Sequence, residues 1–233
     1  MITLIVLAGA LSACTATPPA TPPATPPAIP PTVDPVPFET AAAAEPDRIL
    51  IGAETTDVVD EDGTVLLSLR YFENGDEAVT AAINILGEPQ GTHHQDGSSH
   101  YPEMDGTSWG GFDIVVNRYS SEAMPTGEAR WYKPAYSVQA TAASTDGGIA
   151  IASVDEIRVG DAFDVAAEDQ DTNRVHFDDA FGTRSVALDL PTSFPGIIAD
   201  AGMELPYGVI AVSDQGSIDI TRIVAPKFLF SLT

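Results

Sequence analysis

Three of the four histidines in the chain lie in one polar segment, residues 90–108, together with three acidic residues. Imidazole and carboxylate groups are ligands that zinc and copper accept, so a loop here could gather His93, His94 and His100 around one ion. The spacing lends this hypothesis little support, because no HExxH pattern presents two ligands on one face of a helix. The alternative is a polar, flexible loop whose histidines are solvated, and no cofactor is expected.

A second acidic segment, residues 168–180, matches a calcium-binding loop only in part. Asp169, Asp171 and Asn173 occupy the first, third and fifth positions of such a loop. Arg174 stands where the turn needs glycine, and Ala180 stands where a glutamate should complete the ligand shell. The pattern therefore predicts an acidic, solvated loop.

The segment RWYKPAY, residues 130–136, interleaves aromatic rings with cations. Exposed rings of this kind stack on sugars or grip a peptide, which makes Arg130, Trp131, Tyr132 and Tyr136 candidate ligand-binding residues. Alternation along the same segment favours a second interpretation, a half-buried strand with Trp131 facing the core.

The sequence contains no recognisable signature of nucleophilic catalysis. It has neither a GxSxG elbow nor an SxxK pair, and Cys14 is its only cysteine. Paired carboxylates for glycoside cleavage cannot be picked out of a chain with 34 acidic residues.

Cys14 follows an apolar run, MITLIVLAGALSA, which is too short to span a bilayer and ends in small residues. Leu11-Ser12-Ala13-Cys14 resembles the lipobox of bacterial lipoproteins, although the Lys or Arg that usually opens such a signal is missing. The resemblance implies that residues 1–13 are a signal peptide, that Cys14 is acylated, and that the lipid bilayer is a partner. The alternatives are an ordinary secretory signal or a buried apolar strand.

Residues 14–47 begin with this cysteine and continue as a Pro/Thr/Ala-rich linker with three tandem copies of Thr-Pro-Pro-Ala. Proline fixes φ and removes backbone donors, so the segment is expected to form a polyproline-like spacer of roughly 100 Å when extended. We therefore expect a folded domain in residues 48–233, held away from an anchor.

The domain is strongly acidic. Of the 34 acidic residues, four precede Arg48, which leaves 30 against all 10 basic residues and a net charge of −20. Such a surface repels phosphates, so nucleic acid is excluded as a partner. The Lys-poor, Ala- and Asp-rich composition resembles that of exported proteins of high-GC Gram-positive bacteria.

Periodicity predicts the α+β class, with a mostly antiparallel sheet and two short helices. Apolar spacing in residues 74–89 predicts a helix that stops at Gly87, and residues 160–168 offer a second helix. Residues 60–63 read as a hairpin turn between two β-branched runs, and Trp109 and Phe112 are expected in the core. Further strands are expected within residues 109–119, 129–143, 147–154, 184–190, 207–214 and 217–225.

The order of these elements suggests a tandem duplication, with repeats at residues 48–145 and 146–233. In each half a helix candidate is followed by an aromatic-glycine strand, Trp109-Gly110 and later Tyr207-Gly208. This helix-then-sheet order resembles the tandem repeat of secreted beta-lactamase-inhibitor proteins and the related small envelope lipoprotein domain. The disulfides of the inhibitor family cannot form here, and no inhibitory residue carries over.

These observations favour a membrane-anchored, extracytoplasmic lipoprotein on the outer face of the cell membrane. It would act as a binding or protein-interaction module, with an envelope protein, peptide or glycan as its partner. The alternative is a cell-wall-active hydrolase that uses carboxylates or the histidine-bearing segment.

Overall fold

A computed structural model describes residues 44–98, 102–119, 134–168, 170, 175–178, 182–190 and 207–228. Cys14, Arg130, Trp131, Tyr132 and His100 lie outside the described residues. The described strands are β1 (Arg48–Ile51), β2 (Thr55–Val59), β3 (Val65–Arg70), β4 (Gly91–Gln95), β5 (Glu103–Ser108), β6 (Phe112–Arg118), β7 (Tyr136–Ala140), β8 (Ala150–Ser153), β9 (Val175–Asp178), β10 (Thr183–Asp189), β11 (Tyr207–Ser213) and β12 (Arg222–Phe228). The described helices are α1 (Gly75–Leu86) and α2 (Phe163–Glu168).

Helix α1 begins and ends where its sequence provides caps. The side chain of Asn74 accepts hydrogen bonds from the backbone N–H groups of Asp76 and Glu77, which lack partners inside the helix. Gly87 ends the helix at a φ of 84°, a conformation that favours glycine. Ala78 and Ala82 form the buried stripe. The predicted helix and its stop are confirmed.

The strands form two sheets. The smaller has the order β3-β2-β1-β8, in which β1 and β8 are parallel and the other pairs are antiparallel. The larger has the order β4-β5-β6-β7-β12-β11-β10-β9 and is antiparallel throughout. The predicted α+β class with mostly antiparallel sheet is confirmed.

The strand order of the larger sheet is symmetric about its centre, with the first strand of each half at an edge and the last strand in the middle. Helix α1 is followed by β4 to β7, helix α2 is followed by β9 to β12, and β7 pairs with β12 in the middle. This arrangement agrees with the element order on which the duplication hypothesis rests. The duplication itself stays a prediction.

The core lies between the smaller sheet, the two helices and one face of the larger sheet. Residues Ala42–Thr233 form one compact unit, and a single cluster of buried side chains draws on both sheets. Trp109 and Phe112 are buried in it, as predicted. Of the helices in the described part of the chain, neither is long and apolar enough to cross a membrane.

Two expected loops contain strands. Residues 90–108 are expected as a loop but contain the paired strands β4 and β5, and the acidic segment 168–180 contains β9. Both predictions are wrong for these residues. Strand β4 has the sequence GTHHQ and is exposed at all five positions, so no alternation of buried and exposed side chains marks it as a strand.

Candidate functional site

The two histidines of β4 point to opposite faces of the larger sheet. His93 pairs with Gly106, and its ring occupies the space where a Cβ of residue 106 would lie. His94 pairs with Asp105, and its Nδ1 lies 2.8 Å from an Asp105 carboxylate oxygen. Adjacent residues of a strand alternate between faces, so the two predicted metal ligands are not brought together. Within the described residues, no group of three His, Cys, Asp or Glu side chains is placed to hold a metal ion.

A chain of charged side chains joins the β4–β5 hairpin to the start of α1. The terminal nitrogens of Arg118 donate to the two carboxylate oxygens of Asp76 at 2.6 and 2.8 Å. Its Nε donates to Asp105 at 2.8 Å. Asp105 in turn contacts His94, which reaches Asp96 at 3.3 Å. The contacts tie together β4, β5, β6 and the first turn of α1.

These contacts shift the pKa values of the groups that make them. The hydrogen bond to Asp105 raises the pKa of His94, and hydrogen bonds from His94 and then Arg118 lower the pKa of Asp105. The Arg118 hydrogen bond lowers the pKa of Asp76. The cluster therefore favours the charged form of each of these three groups.

The surroundings of His94 do not favour catalysis by this residue. A general base needs a free ring nitrogen, whereas both nitrogens of His94 lie beside carboxylate oxygens. The raised pKa also favours the imidazolium, which cannot accept a proton. The arrangement suits a positional role for His94 at the sheet edge.

The other face of β4 to β7, which we call the open face, points away from α1. Phe112, Ile114 and Val116 of β6 are buried on the α1 side, where Gly75 lies against Val116, so the alternate residues form the open face. All its residues except Gly106 are exposed or half-buried. They are Gly91, His93, Gln95, Met104, Gly106, Ser108, Asp113, Val115, Asn117, Ser137 and Gln139.

The open face is almost free of charged side chains. Asp113 is the only Asp, Glu, Lys or Arg among its residues, although the chain from Arg48 onward has a net charge of −20. The cores of protein interfaces are depleted in charged residues in the same way.

A cleft of about 150 Å³ opens on the opposite side of β7, between α1 and β3. Tyr136 lies at this cleft, and Ser137, its neighbour in β7, belongs to the open face. Arg70, Glu73 and Glu77 supply charges of both signs at the cleft, and Leu67 and Leu69 supply apolar surface.

Tyr136 is one of the candidate ligand-binding residues, and the structure places its side chain in the core with no exposed surface, which agrees with the second interpretation of a half-buried strand. Strand alternation explains this placement, because Tyr136 faces inward with Val138 and Ala140. Its hydroxyl is buried and has no hydrogen-bond partner among the described residues. Burial, and then the charge of Glu73, raises the pKa of Tyr136 well above its usual range, so the group stays a neutral hydroxyl.

Sequence reasoning named His94 of the charged cluster and Tyr136 of the cleft as candidates, but it missed the residues that surround them. Arg118 and Asp76 are 42 residues apart, and no local pattern relates them. The cleft combines side chains of β3, α1 and β7.

Comparisons with known proteins identify no relative. No protein-family model, no curated protein and no solved structure matches the chain.

Proposed function

We propose that this protein is a membrane-anchored, extracytoplasmic lipoprotein that acts as a binding module at the cell envelope, with the open face as its contact surface. The observation that carries the proposal is the almost uncharged character of this face on a strongly acidic domain. An acidic surface stays soluble and repels other acidic molecules, so a neutral area offers the least unfavourable place for contact.

The side chains of the open face suit recognition of a polar macromolecule. Met104 and Val115 supply apolar area, and Asn117, Ser137 and Gln139 supply hydrogen-bond donors and acceptors. All five are half-buried, so their conformational freedom is already restricted and less entropy is lost on binding. An envelope protein, peptide or glycan offers the complementary polar groups.

The scaffold beneath this face supports the same function. Antiparallel pairing continues without a register shift from β4 to β7, and the Asp76–Arg118–Asp105 contacts hold the hairpin against α1. Sites built on regular strands are positioned more precisely than sites on loops. A preorganised sheet face therefore favours binding.

Anchorage is proposed from Leu11 to Cys14 and the proline-rich segment that follows. Two or more acyl chains on Cys14 would hold the protein stably at a membrane, and the spacer would carry the domain outward. A Cys14→Ser variant is expected to move from the detergent phase to the aqueous phase on partition. Retention of this variant in the detergent phase would contradict the anchor.

The binding proposal is tested by photo-crosslinking in cells that produce the full chain. A photoreactive phenylalanine at Ser137, on the open face, should give an adduct of one defined mass. The matched control at Asn84, which is exposed on α1, should give none. Adding Val115→Glu to the Ser137 variant should abolish the adduct, because a buried, unpaired carboxylate opposes contact. Equal adducts from Ser137 and Asn84 would contradict the proposal. It would also be contradicted if neither Ser137 nor a second probe position on the open face, Gln139, gave an adduct.

A further inference from the structure

The cleft between α1 and β3 has the features of a small-ligand site that is separate from the open face. Its floor includes Tyr136, whose side chain is fully buried. A buried hydroxyl normally has a hydrogen-bond partner, because leaving it without one costs free energy. The hydroxyl of Tyr136 has none among the described residues. Because Tyr136 has no exposed surface, this hydroxyl lies beneath the cleft and out of reach of an occupant, which must be bound by the groups that line the cleft above it.

The charged side chains of the cleft, by contrast, are exposed and available to a ligand. Arg70 and Glu73 both line it and are three residues apart, joined by a backbone hydrogen bond from Glu73 N to Arg70 O of 3.0 Å. Despite this proximity, neither side chain makes a hydrogen bond or ion pair within the described part of the chain. Glu77 adds a second carboxylate, which accepts a hydrogen bond from Asn74.

The size of the cleft limits what it can hold. A cavity of about 150 Å³ takes a ligand of roughly six heavy atoms, the size of benzene. Sites for drug-sized molecules are larger. The occupant must therefore place its charged groups close together on a very small body.

We propose that this cleft binds a small zwitterion, a free amino acid with a small side chain. Its carboxylate pairs with the guanidinium of Arg70, its ammonium group pairs with Glu73 and Glu77, and its side chain contacts Leu67 and Leu69. A ligand with a single charge would satisfy only one sign of the lining. This inference does not rest on the open face, because Tyr136 and Ser137 lie on opposite sides of β7.

The test is calorimetric titration of the full chain with free glycine and alanine, with N-acetylalanine and alaninamide as single-charge analogues. For ligands of about six heavy atoms, a Kd on the order of 1 mM is expected. The analogues should bind about tenfold more weakly or worse, because each lacks one charged pair. N-acetylalanine also represents a peptide C-terminus and alaninamide a peptide N-terminus, so the same series separates a free amino acid from the end of a chain.

Two variants locate the binding in the cleft. Arg70→Gln and Glu73→Gln should each weaken alanine binding about tenfold. Arg158→Gln and Glu61→Gln change the same charges at exposed positions outside the cleft and should leave the affinity unchanged. Circular dichroism checks that each variant is folded.

Three results would overturn the proposal: no saturable binding of glycine or alanine to the unaltered chain, analogues that bind as tightly as alanine, or cleft variants that retain full affinity. None of these results would alter the crosslinking from Ser137, so the open face is judged separately.

Discussion

Tyr71 and Tyr136 pack edge to face in the core, with ring centroids 5.9 Å apart and ring planes at 67°, but their hydroxyls differ completely. The hydroxyl of Tyr71 donates to the carbonyl of Gly52 at 2.7 Å and lies 2.8 Å from Oγ1 of Thr56. The hydroxyl of Tyr136 has no partner among the described residues. The two rings pack against each other in the core and differ in the bonding of their hydroxyls. Replacing each tyrosine with phenylalanine therefore compares a bonded buried hydroxyl with one that has no partner.

Replacing Tyr136 with Phe should leave the free energy of unfolding unchanged or raise it by up to about 2 kcal/mol, because it removes an unsatisfied buried hydroxyl. Replacing Tyr71 with Phe should lower that free energy by about 1–3 kcal/mol, because it leaves the buried hydroxyl of Thr56 and the carbonyl of Gly52 without this partner. Urea unfolding of the two variants in the absence of ligand measures both values. A clear loss of stability in Tyr136→Phe would show that its hydroxyl is bonded in the free protein.

Helix α1 approaches β6 closely because residue 75 has no side chain. A Cβ at Gly75 would lie 2.7 Å from Cγ1 of Val116, a stiff and buried side chain. Gly75→Ala should therefore lower the free energy of unfolding by about 1–3 kcal/mol. Gly91→Ala is the control, since a Cβ there meets nothing within 4 Å, and its effect should stay within about 0.5 kcal/mol. Equal stabilities for the two variants would contradict the close packing of α1 on the sheet.

The His94–Asp105 pair makes the edge hairpin sensitive to pH. Since the folded-state pKa of His94 is raised above its ordinary value of 6.5, its contribution to stability is fully present below that pH. The contribution is lost as the pH rises through the raised pKa. The pKa of Asp105 is lowered from 3.8, so its contribution is present above that value and is lost as the pH falls through the lowered pKa. Both contributions are present between these ordinary values.

NMR titration of the His94 ring measures this coupling directly. The midpoint should lie above 6.5 in the unaltered protein and should fall in Asp105→Asn, which removes the hydrogen-bonded charge that contributes most to the shift. Asp96 and Glu103 also act on His94, so some elevation should remain in that variant. Asp62→Asn, in the exposed β2–β3 turn, should leave the midpoint unchanged. An equal midpoint with and without the Asp105 charge would rule out this cause.

The elements predicted well are those whose signals are local. Helix α1 carries its own cap at Asn74, its own apolar spacing and its own stop at Gly87, so neighbouring residues determine it. The turn at residues 60–63 likewise brings β2 and β3 together without help from distant segments.

The missed features depend on contacts between distant residues. Strand β4 forms because β5 pairs with it, and its five exposed residues carry no burial pattern. Tyr136 and Glu73 come close only when β7 packs beside the connection between β3 and α1, so the cleft has no signature along the chain. For Tyr136 the sequence left two expectations open, an exposed ligand-binding ring and a half-buried strand, because composition alone does not tell which side of a strand faces the core; its burial agrees with the second.

The central claim, that the open face binds an envelope partner, is tested most directly by competition on isolated cell envelopes. Purified protein with the photoreactive side chain at Ser137 is bound and crosslinked with and without an excess of unlabelled protein. Unaltered competitor should reduce the adduct about tenfold, whereas Val115→Glu competitor should leave it nearly unchanged. Equal suppression by both competitors would show that binding does not use the open face, and suppression by neither would show that the contact is not specific.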